Sequence, residues 1–578
     1  AVAAAAAVAL GRIGDDAATT ALRTALAEGA AGVRPAVAEG LVLCAERQLA
    51  AGRSTAAAAV FDLVRSADVP APRIIEATRG AILAHGDAGI PLLLEQLRSP
   101  ERRRLNIGLS VARELPGAAA DAALAAEFAA APEPRAALLA TVLADRGGGP
   151  AREALAAAVA APATPAAVRL AAVRGLGRVG DATSVAPLLP LLGGGDADAA
   201  AAAVAALADL RGSGVDEAIV APLGRAKGPT LATLLKVVGR RRITSARLKI
   251  EHAVRDNDPA VRVAALEALG ATADLDGLAL LVSETLVPMD AAQGAAALSA
   301  LRAAAVRMPD RGACAAILAK AVRSAGGDDA RVAVLDILGE MGGPEALAAV
   351  AEAAGGDNDA LRDAGTRLLG GWMTADAAAP LLALATSLPD GKFRTRAFRG
   401  YLRVARQLVK DDAEQLAMCH TALGLVRSAD DRRQVLEALR LVPILDGLRL
   451  AAEAANDEVR DEARATAAAI LLAMGEPAAE AWEIVGSLGL QRAAVEIVQA
   501  SYGSPTKRKD VTAMVRKRVA GVPVIALGSP SYSASFGGDP APGEEKTLTI
   551  RYSLDGREGE ATFAENATIV LPVPPAGK

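Results

Sequence analysis

The chain has 578 residues, and 63 Lys and Arg nearly balance 67 Asp and Glu, so the net charge is −4 at pH 7. This balance excludes a global electrostatic field directed at nucleic acid or an anionic membrane. Hydrophobic residues reach 52% but aromatic residues only 2%, and this Ala-rich composition favours many short helices over a β-sandwich or barrel.

Neither the beginning of the chain nor its cysteines identifies a compartment. The chain begins "AVAAAAAVALGRIG" without Met and inside a helical pattern, which we interpret as a processed or incomplete N-terminus. Cys44, Cys314 and Cys419 are too few and too dispersed for a disulfide framework. No apolar run approaches the roughly 18 to 20 residues that a membrane span needs.

A periodic pattern runs through most of the chain. Arg169 stands seven residues before Leu176 in "VRLAAVRGL", and the same spacing joins Arg262 to Leu269 in "VRVAALEALG". The recurring leucines are separated by 31, 62, 69, 31 and 70 residues, which correspond to one or two repeats of 31 to 35 residues. These repeat leucines are Leu176, Leu207, Leu269, Leu338, Leu369 and Leu439.

Each repeat has the signals of two helices joined by a turn. Thr164 with Pro165, and Asp258 with Pro259, place a proline at the first helical position. A second apolar-periodic helix follows each glycine-rich turn, so one unit is a hairpin that must stack on its neighbours to form a core. Side chains that can cap the first helix lie four residues before the repeat Arg: Asp258, Asn358, Ser428 and Asn456.

The stretch Gly175-Leu176-Gly177-Arg178-Val179-Gly180 matches the G-x-G-x-x-G fingerprint of dinucleotide-binding loops. That fingerprint requires a preceding strand, whereas an amphipathic helix pattern precedes this stretch. Its relatives "ALGRIG" and "ILGEMG" lack the first glycine. We therefore interpret the stretch as the end of a helix, with the final glycine in a left-handed conformation.

The repeat resembles the HEAT family. The Asp-x-x-x-Arg start, from Asp258 to Arg262, and the Leu-Gly close, Leu269 and Gly270, are similar to the short bacterial form that is also found in phycobilin lyases. The resemblance implies a mainly α fold, an α-solenoid of HEAT-like helical hairpins. At this period, residues 1–500 hold about 14 hairpins.

The remaining residues, 501–578, are predicted to form a small β-rich C-terminal domain. "TLTIRYSLDGREGEATF" has two alternating strands around Asp555-Gly556, and "TIVLP" has the pattern of a further strand. "DVTAMVRKRVAG" indicates one amphipathic helix with Asp510 as its cap.

The C-terminal segment also resembles a known module. Gly538-Asp539-Pro540-Ala541-Pro542-Gly543, followed by Lys546-Thr547-Leu548, is similar to a C-terminal β module of some DnaJ-type proteins and of many planctomycete HEAT-repeat proteins. The resemblance implies a subunit of a larger bacterial assembly and favours an extracytoplasmic compartment. It implies no activity.

The sequence contains no pattern of catalytic or metal-ligating residues. His85, His252 and His420 are 167 and 168 residues apart, about five hairpins each, too far to share a metal ion. Acidic pairs such as Asp411-Asp412 lie at helix starts, where carboxylates favour the positive end of the helix dipole. We predict no catalytic residue, no metal and no cofactor, and therefore no enzyme.

Two groups of residues are predicted to contact a partner. The first group lies at the fifth position after each repeat Arg, on the predicted inner helices of the solenoid. Its side chains carry charges of both signs, which argues against a groove that binds a phosphate backbone. The second lies on or beside the predicted C-terminal helix and suits an acidic partner or an anionic surface, with a solvated helix face as the alternative. The first group is Arg174, Glu267, Asp336, Arg367 and Glu437; the second is Lys507, Arg508, Lys509, Arg516, Lys517 and Arg518.

These observations predict a non-enzymatic scaffold that binds a protein partner through the concave solenoid surface. Two alternatives stay open. The resemblance to the phycobilin-lyase form of the repeat suggests a bilin lyase or isomerase, although no cluster of His, Tyr and Cys suits a tetrapyrrole. Basic clusters such as Arg240 to Arg242 suggest a nucleic-acid-binding HEAT-like protein, although the chain lacks aromatic stacking platforms.

Overall fold

The computed structural model describes residues 1–324, 326–529 and 531–575. The chain divides into two compact units, Ala1–Ala304 and Ala305–Lys578. In the second unit the last hairpin helix ends at Ser487 and the first strand begins at Val495. The predicted division into domains 1–500 and 501–578 stays a prediction.

Helical hairpins form most of the described chain. Within the described residues thirty α-helices follow one another from Val2 to Ser487, where the sequence predicts about 14 hairpins. Odd-numbered helices are the first helices of the hairpins and even-numbered helices the second. Their bounds are α1 (Val2–Ile13), α2 (Asp16–Glu28), α3 (Arg34–Ala50), α4 (Ser54–Arg65), α5 (Ala71–His85), α6 (Ile90–Arg98), α7 (Arg102–Glu114), α8 (Ala118–Ala130), α9 (Glu133–Arg146), α10 (Gly149–Ala160), α11 (Ala166–Val179), α12 (Val185–Leu188), α13 (Ala197–Asp209), α14 (Val215–Val220), α15 (Gly228–Arg241), α16 (Arg247–Ala253), α17 (Pro259–Thr272), α18 (Leu275–Leu286), α19 (Ala291–Arg307), α20 (Arg311–Arg323), α21 (Asp328–Met341), α22 (Pro344–Gly355), α23 (Asp359–Gly370), α24 (Ala378–Ser387), α25 (Lys392–Gln407), α26 (Asp412–Leu423), α27 (Ala429–Leu439), α28 (Leu445–Glu453), α29 (Arg460–Met474) and α30 (Ala479–Ser487).

Short 3-10 segments extend or precede several helices. Two of them contain Pro190 and Pro222 near their starts, and a proline has no N–H for the α-helical hydrogen bond. None of the helices in the described residues has the length and apolar character needed to cross a membrane. The 3-10 segments are Ala31–Val33, Gly86–Gly89, Ala182–Ser184, Leu189–Gly193, Ala221–Gly224, Thr244–Ala246 and Ala375–Ala377.

The repeat leucines and most predicted caps are confirmed. Asp258 accepts a hydrogen bond from the Ala260 amide at 2.9 Å, and Asn358 and Ser428 cap their helices in the same way. Two starts differ from the prediction: Pro165 lies one residue before α11, and Asn456 caps the turn that precedes α29. The repeat leucines are each 0% exposed: Leu176, Leu207, Leu269, Leu338, Leu369 and Leu439.

The glycine-rich stretch serves helix packing more than helix termination. Gly175 and Gly177 lie inside α11, and Gly180 follows the helix with an extended backbone, φ −73°, so the predicted left-handed end is wrong there. A left-handed glycine does end α1, at Gly14 with φ 70°. A Cβ on Gly177 would lie 2.9 Å from the Cα of Ala206 in α13, so the glycine permits close approach of two successive first helices.

We expect Gly177→Ala to destabilise the first unit by about 1 to 3 kcal/mol, because the added methyl group forces α11 and α13 apart. The measurement is equilibrium urea unfolding of the full chain, followed by helical circular dichroism. Gly149→Ala in α10 is the control, since an added Cβ there meets only the end of the Glu153 side chain, at 4.0 Å. Equal stability of the two variants would contradict the close-packing role.

Arginines near the ends of first helices connect one repeat to the one before it. Arg146, the last residue of α9, donates to the Leu115 carbonyl at 2.7 Å and to Asp121 at 2.8 Å. Arg241 at the end of α15 donates to the Leu210 carbonyl at 2.8 Å. The last carbonyls of a helix have no partner within that helix, so an arginine from the next repeat satisfies them.

The C-terminal region is an antiparallel β module with the predicted hairpin. Its main sheet has the order β2-β1-β4-β5, and Leu554 pairs with Arg557 around the Asp555-Gly556 turn. The predicted helix from Asp510 is wrong in length: Arg508–Asp510 is a strand, and the helix covers five residues. Strands β1 and β3 are additional to the prediction. The bounds are β1 (Val495–Gly503), β2 (Arg508–Asp510), α31 (Thr512–Arg516), β3 (Val524–Ile525), α32 (Tyr532–Ser535), β4 (Thr547–Leu554), β5 (Arg557–Ala564) and β6 (Ile569–Val570), with β3 paired to β6.

A buried lysine explains the motif that carries the module resemblance. Lys546 contacts the carboxylates of Asp539 at 3.2 Å and Glu565 at 3.4 Å, and it donates to the Glu544 carbonyl. Glu565 also accepts a hydrogen bond from the buried Tyr502 hydroxyl at 2.5 Å. The motif therefore fixes the loop between α32 and β4 to the core of the module.

Candidate functional site

The three cysteines of the chain are free and buried. Burial raises the pKa of Cys314 to about 11 and that of Cys419 to about 12, and it also raises the pKa of Cys44. The thiols therefore stay protonated, whereas the thiolate is the nucleophile and the metal ligand. Among the described residues, no group of three His, Cys, Asp or Glu side chains is placed to hold a metal ion.

The first group of predicted partner residues lies on first helices. Two of its members have no ion pair with a described residue, and the other three are in ion pairs. Arg174 on α11 and Glu267 on α17 are exposed, and neither forms an ion pair within the described part of the chain. Asp336 on α21 and Arg367 on α23 contact each other at 2.6 Å. Glu437 on α27 contacts Arg406 of α25 at 3.1 Å. The mixed signs at this position thus include ion pairs between successive repeats.

A carboxylate shared by two arginines shows how such pairs join consecutive first helices. Asp145 on α9 contacts Arg113 of α7 at 2.6 Å and Arg178 of α11 at 2.7 Å. The hydrogen bond from Arg113 is the main cause that lowers the pKa of Asp145. Residues about 31 to 35 positions apart pair in this way, so the repeat period itself is the sequence signal for these contacts.

A groove between α11 and α13 has unpaired charges on both sides. Its cavity volume is about 540 Å³, and Arg174 lies on the α11 side. Asp198 and Asp209 lie on the α13 side, and neither forms an ion pair with another described residue. The lining between these charges includes five small residues: Gly177, Ala201, Ala202, Ala205 and Ala206.

Half of the second predicted group is used inside the β module. Arg508 in β2 donates to the Ser501 and Thr547 carbonyls. Lys509 donates to the Phe536 carbonyl at 2.6 Å. Arg516 donates to the Ile497 carbonyl at 2.8 Å, where β1 has an irregular register. These three cations stabilise backbone segments, so the cluster is not one solvated helix face.

The other three cations of that group are exposed. Lys507 follows β1, and Lys517 and Arg518 follow α31. None of the three forms an ion pair with a described residue. The guanidinium of Arg518 lies against Gly528, where an added Cβ would be 2.9 Å from its Nη2.

A cleft separates the last two first helices from the β module. Its volume is about 330 Å³, and it contains Glu437 of the predicted first group. One wall consists of α27 side chains from Asp430 to Arg440, whose spacing places them on one face of the helix. The second wall is Glu462 and Thr466 of α29. The third consists of two segments of the module, 525–529 and 566–569.

The carboxylates of the cleft each have an arginine partner. Arg433 contacts Glu462 at 2.8 Å within the cleft. Arg399 contacts Asp430 at 2.6 Å, and Arg406 contacts Glu437. Arg440 instead donates to the Leu527 carbonyl. The sequence does not reveal this cleft, because its helical walls lie about 60 to 140 residues before the module segments that face them.

The fold and its surfaces define an α-solenoid repeat protein, a class typical of protein-interaction scaffolds. A family model described as PBS lyase HEAT-like repeat matches residues 2–28 and 168–194. These two segments are therefore similar to HEAT-like repeats. The resemblance of its C-terminal module to DnaJ-type and planctomycete proteins stays a prediction.

Several solved structures are similar to this chain at low identity. A homology model of the full-length AP-3 complex is 13% identical, covers 81% of this chain and 86% of that chain, and has a TM-score of 0.35. Kap121p bound to Pho4p is 13% identical, covers 69% and 53%, and has a TM-score of 0.36. Human deoxyhypusine hydroxylase is 19% identical, covers 46% and 98%, and has a TM-score of 0.20. No curated protein sequence matches the chain significantly.

Proposed function

We propose that the chain is a non-enzymatic scaffold that binds a protein partner on the surface formed by its first helices. The observation that carries this proposal is the groove between α11 and α13, where small residues lie between Arg174 and the carboxylates of Asp198 and Asp209. Unpaired charges of opposite sign suit a protein surface of mixed charge, because a polyanion would require cations on both sides.

The ion pairs between repeats support the same proposal. Asp145, which contacts Arg113 and Arg178, joins the successive first helices α7, α9 and α11 in the same unit as the groove, so this surface is preorganised before a partner binds. Arg174 and Glu267 keep their charges available because no described side chain neutralises them. We therefore propose that the partner contacts mainly the unpaired members of the first predicted group, and the members in ion pairs less.

The test is the double variant Arg174→Gln/Glu267→Gln of the full chain. Cross-linking with mass spectrometry in cells that naturally contain the protein identifies the partner, and titration of the purified partner gives the affinity. We expect about a three- to tenfold loss, because each exposed charge pair contributes up to about 1 kcal/mol.

The matched control is Arg23→Gln/Glu153→Gln. Arg23 on α2 and Glu153 on α10 are exposed, lack ion pairs among the described residues and lie on second helices of the same unit. The net charge change of the two double variants is identical. Equal affinities of the test and control variants would rule out the first-helix surface as the binding surface.

A further inference from the structure

Strand β5 is one edge of the main sheet, and among the described residues no strand pairs with its outer side. The order β2-β1-β4-β5 places it at one end of the sheet, and its eight residues pair with β4 without a register shift. The opposite edge, β2, has only three residues. Natural sheets protect exposed edges with short strands, prolines or bulges. Strand β5 is long and has neither a proline nor a bulge.

The hairpin geometry determines which backbone groups of β5 face outward. The turn residues Asp555 and Gly556 both have positive φ, 48° and 81°, so Leu554 and Arg557 on either side of this two-residue turn form a hydrogen-bonded pair. Bonded and non-bonded pairs alternate along an antiparallel ladder. Every second residue of β5 therefore points its N–H and C=O groups away from β4, and three such residues have no backbone hydrogen bond to any other described residue. They are Glu558, Glu560 and Thr562.

The side chains along this edge differ between the two faces of the sheet. Glu558 and Glu560 lie on the solvent-exposed face. Glu558 forms no ion pair with a described residue, and Glu560 has a long, exposed contact with Arg551 at 3.8 Å. On the opposite face, Ala561 and Phe563 pack against the core of the module but are only half-buried. An added strand would therefore meet carboxylates on one face and apolar side chains on the other.

The carboxylates distinguish between the possible occupants of this edge. A second copy of β5 would bring two more carboxylates to the same exposed face, and like charges that face each other across strands are destabilising. Lys or Arg side chains on an incoming strand would instead form opposite-charge pairs with Glu558 and Glu560. The charge of the edge therefore favours a basic segment over a second copy of this chain.

We propose that β5 binds an extended segment of a partner protein as an additional antiparallel strand, in which Lys or Arg alternates with apolar residues. The cations lie opposite Glu558 and Glu560, and the apolar side chains cover Ala561 and Phe563. The outward N–H and C=O groups of β5 supply main-chain hydrogen bonds, which are the source of affinity when a strand is added to a sheet edge. The edge belongs to the β module, so this inference stands whether or not the first-helix surface binds a partner.

The test uses a fluorescein-labelled, amidated peptide, Gly-Val-Thr-Val-Lys-Val-Lys-Gly, titrated with the full chain and followed by fluorescence anisotropy. In antiparallel pairing its threonine lies opposite Thr562 and its lysines lie opposite Glu560 and Glu558. We expect the same peptide with glutamate at both lysine positions to bind at least about tenfold more weakly, because two attractive pairs become repulsive.

Two N-methylated peptides test the backbone contact on the unaltered protein. The lysine amides of the peptide donate to β5, so N-methylation of both lysines should abolish measurable binding. The amides of the second and third valines point away from β5, so N-methylation of these two residues should change the affinity less than about threefold.

The variant Thr562→Pro tests the same contact from the side of the protein. Proline removes an outward N–H that takes no part in pairing with β4, and edge strands tolerate proline at such positions. We expect Thr562→Pro to weaken binding of the lysine peptide at least about tenfold. Thr562→Ala is the matched control, because it keeps the N–H, and it should change the affinity less than about twofold.

Three results with the peptides would overturn the proposal: no binding of the lysine peptide, equal binding of the glutamate peptide, or equal affinities of the two N-methylated peptides. Dimerisation of the full chain that Thr562→Pro abolishes, measured by sedimentation velocity, would also overturn it, because the edge would then belong to a second copy. The variant Arg174→Gln/Glu267→Gln should bind the lysine peptide as the unaltered chain does, which separates this result from the first-helix test.

Discussion

We expect Arg394→Met to lower the free energy of unfolding of the second unit by about 3 to 5 kcal/mol, because it leaves a buried carboxylate without its cation. Arg394 on α25 is 3% exposed, and its Nη1 lies 2.6 Å from Asp431 of α27, whose side chain is 5% exposed. Arg394 also donates to the Leu425 carbonyl. The variant therefore removes one donor from each of two acceptors, the buried carboxylate of Asp431, which keeps the Arg427 amide, and the Leu425 carbonyl.

The same two helices provide the control. Arg399 on α25 lies 2.6 Å from Asp430 on α27, but these side chains are 53% and 52% exposed. Water solvates both charges when this pair is broken, so Arg399→Met should cost no more than about 1 kcal/mol. Guanidinium unfolding of both variants measures the difference. If the two losses were equal, burial would not determine the contribution of these ion pairs.

The repeat could be predicted from the sequence because its signals are local. The capping side chains of Asp258, Asn358 and Ser428 act within three residues, and they cap as predicted. The arginine contacts between repeats were missed for the opposite reason. Arg146 satisfies the carbonyl of Leu115, 31 residues earlier; this separation matches the repeat period, but no residue pattern near Arg146 or Leu115 identifies the contact.

The β module was predicted at the alternating strands β4 and β5 and at β6 in "TIVLP", but not at β1, β2 or β3. Strands β4 and β5 alternate around Asp555-Gly556. Strand β1 has an irregular register between Ile497 and Gln499, which interrupts its alternation of buried and exposed residues. Pairing of Arg508–Asp510 with β1 likewise overrides the helical pattern that begins at Asp510.

The candidate sites also could be predicted only in part, because their contacts join residues far apart in the chain. Sequence spacing placed Glu437 on a first helix, but its contact with Arg406 and its position in the cleft depend on segments far apart in the chain. In the second group, the backbone carbonyls that hold Arg508 and Arg516 belong to strands the sequence pattern did not reveal. The type and spacing of charged residues identify candidate contacts for a binding partner. Their ion pairs and hydrogen bonds within the chain determine which of these residues remain available to that partner.

Truncation of a repeat leucine is expected to cause the second large loss of stability. Leu439 is the last residue of α27 and is 0% exposed. We expect Leu439→Ala to lower the free energy of unfolding of the second unit by about 2 to 5 kcal/mol, because it removes buried apolar atoms and leaves a cavity between packed helices. Chemical unfolding followed by circular dichroism measures the loss.

Leu441, two residues later, is the control for this substitution. Its side chain is 52% exposed, so truncation to alanine removes little buried surface and leaves no enclosed cavity. Leu441→Ala should therefore change the stability by less than about 1 kcal/mol. Because the repeat period places Leu439 in the shared core, a small loss for Leu439→Ala would mean that this repeat is held by its ion pairs, such as Arg394 with Asp431, more than by apolar packing.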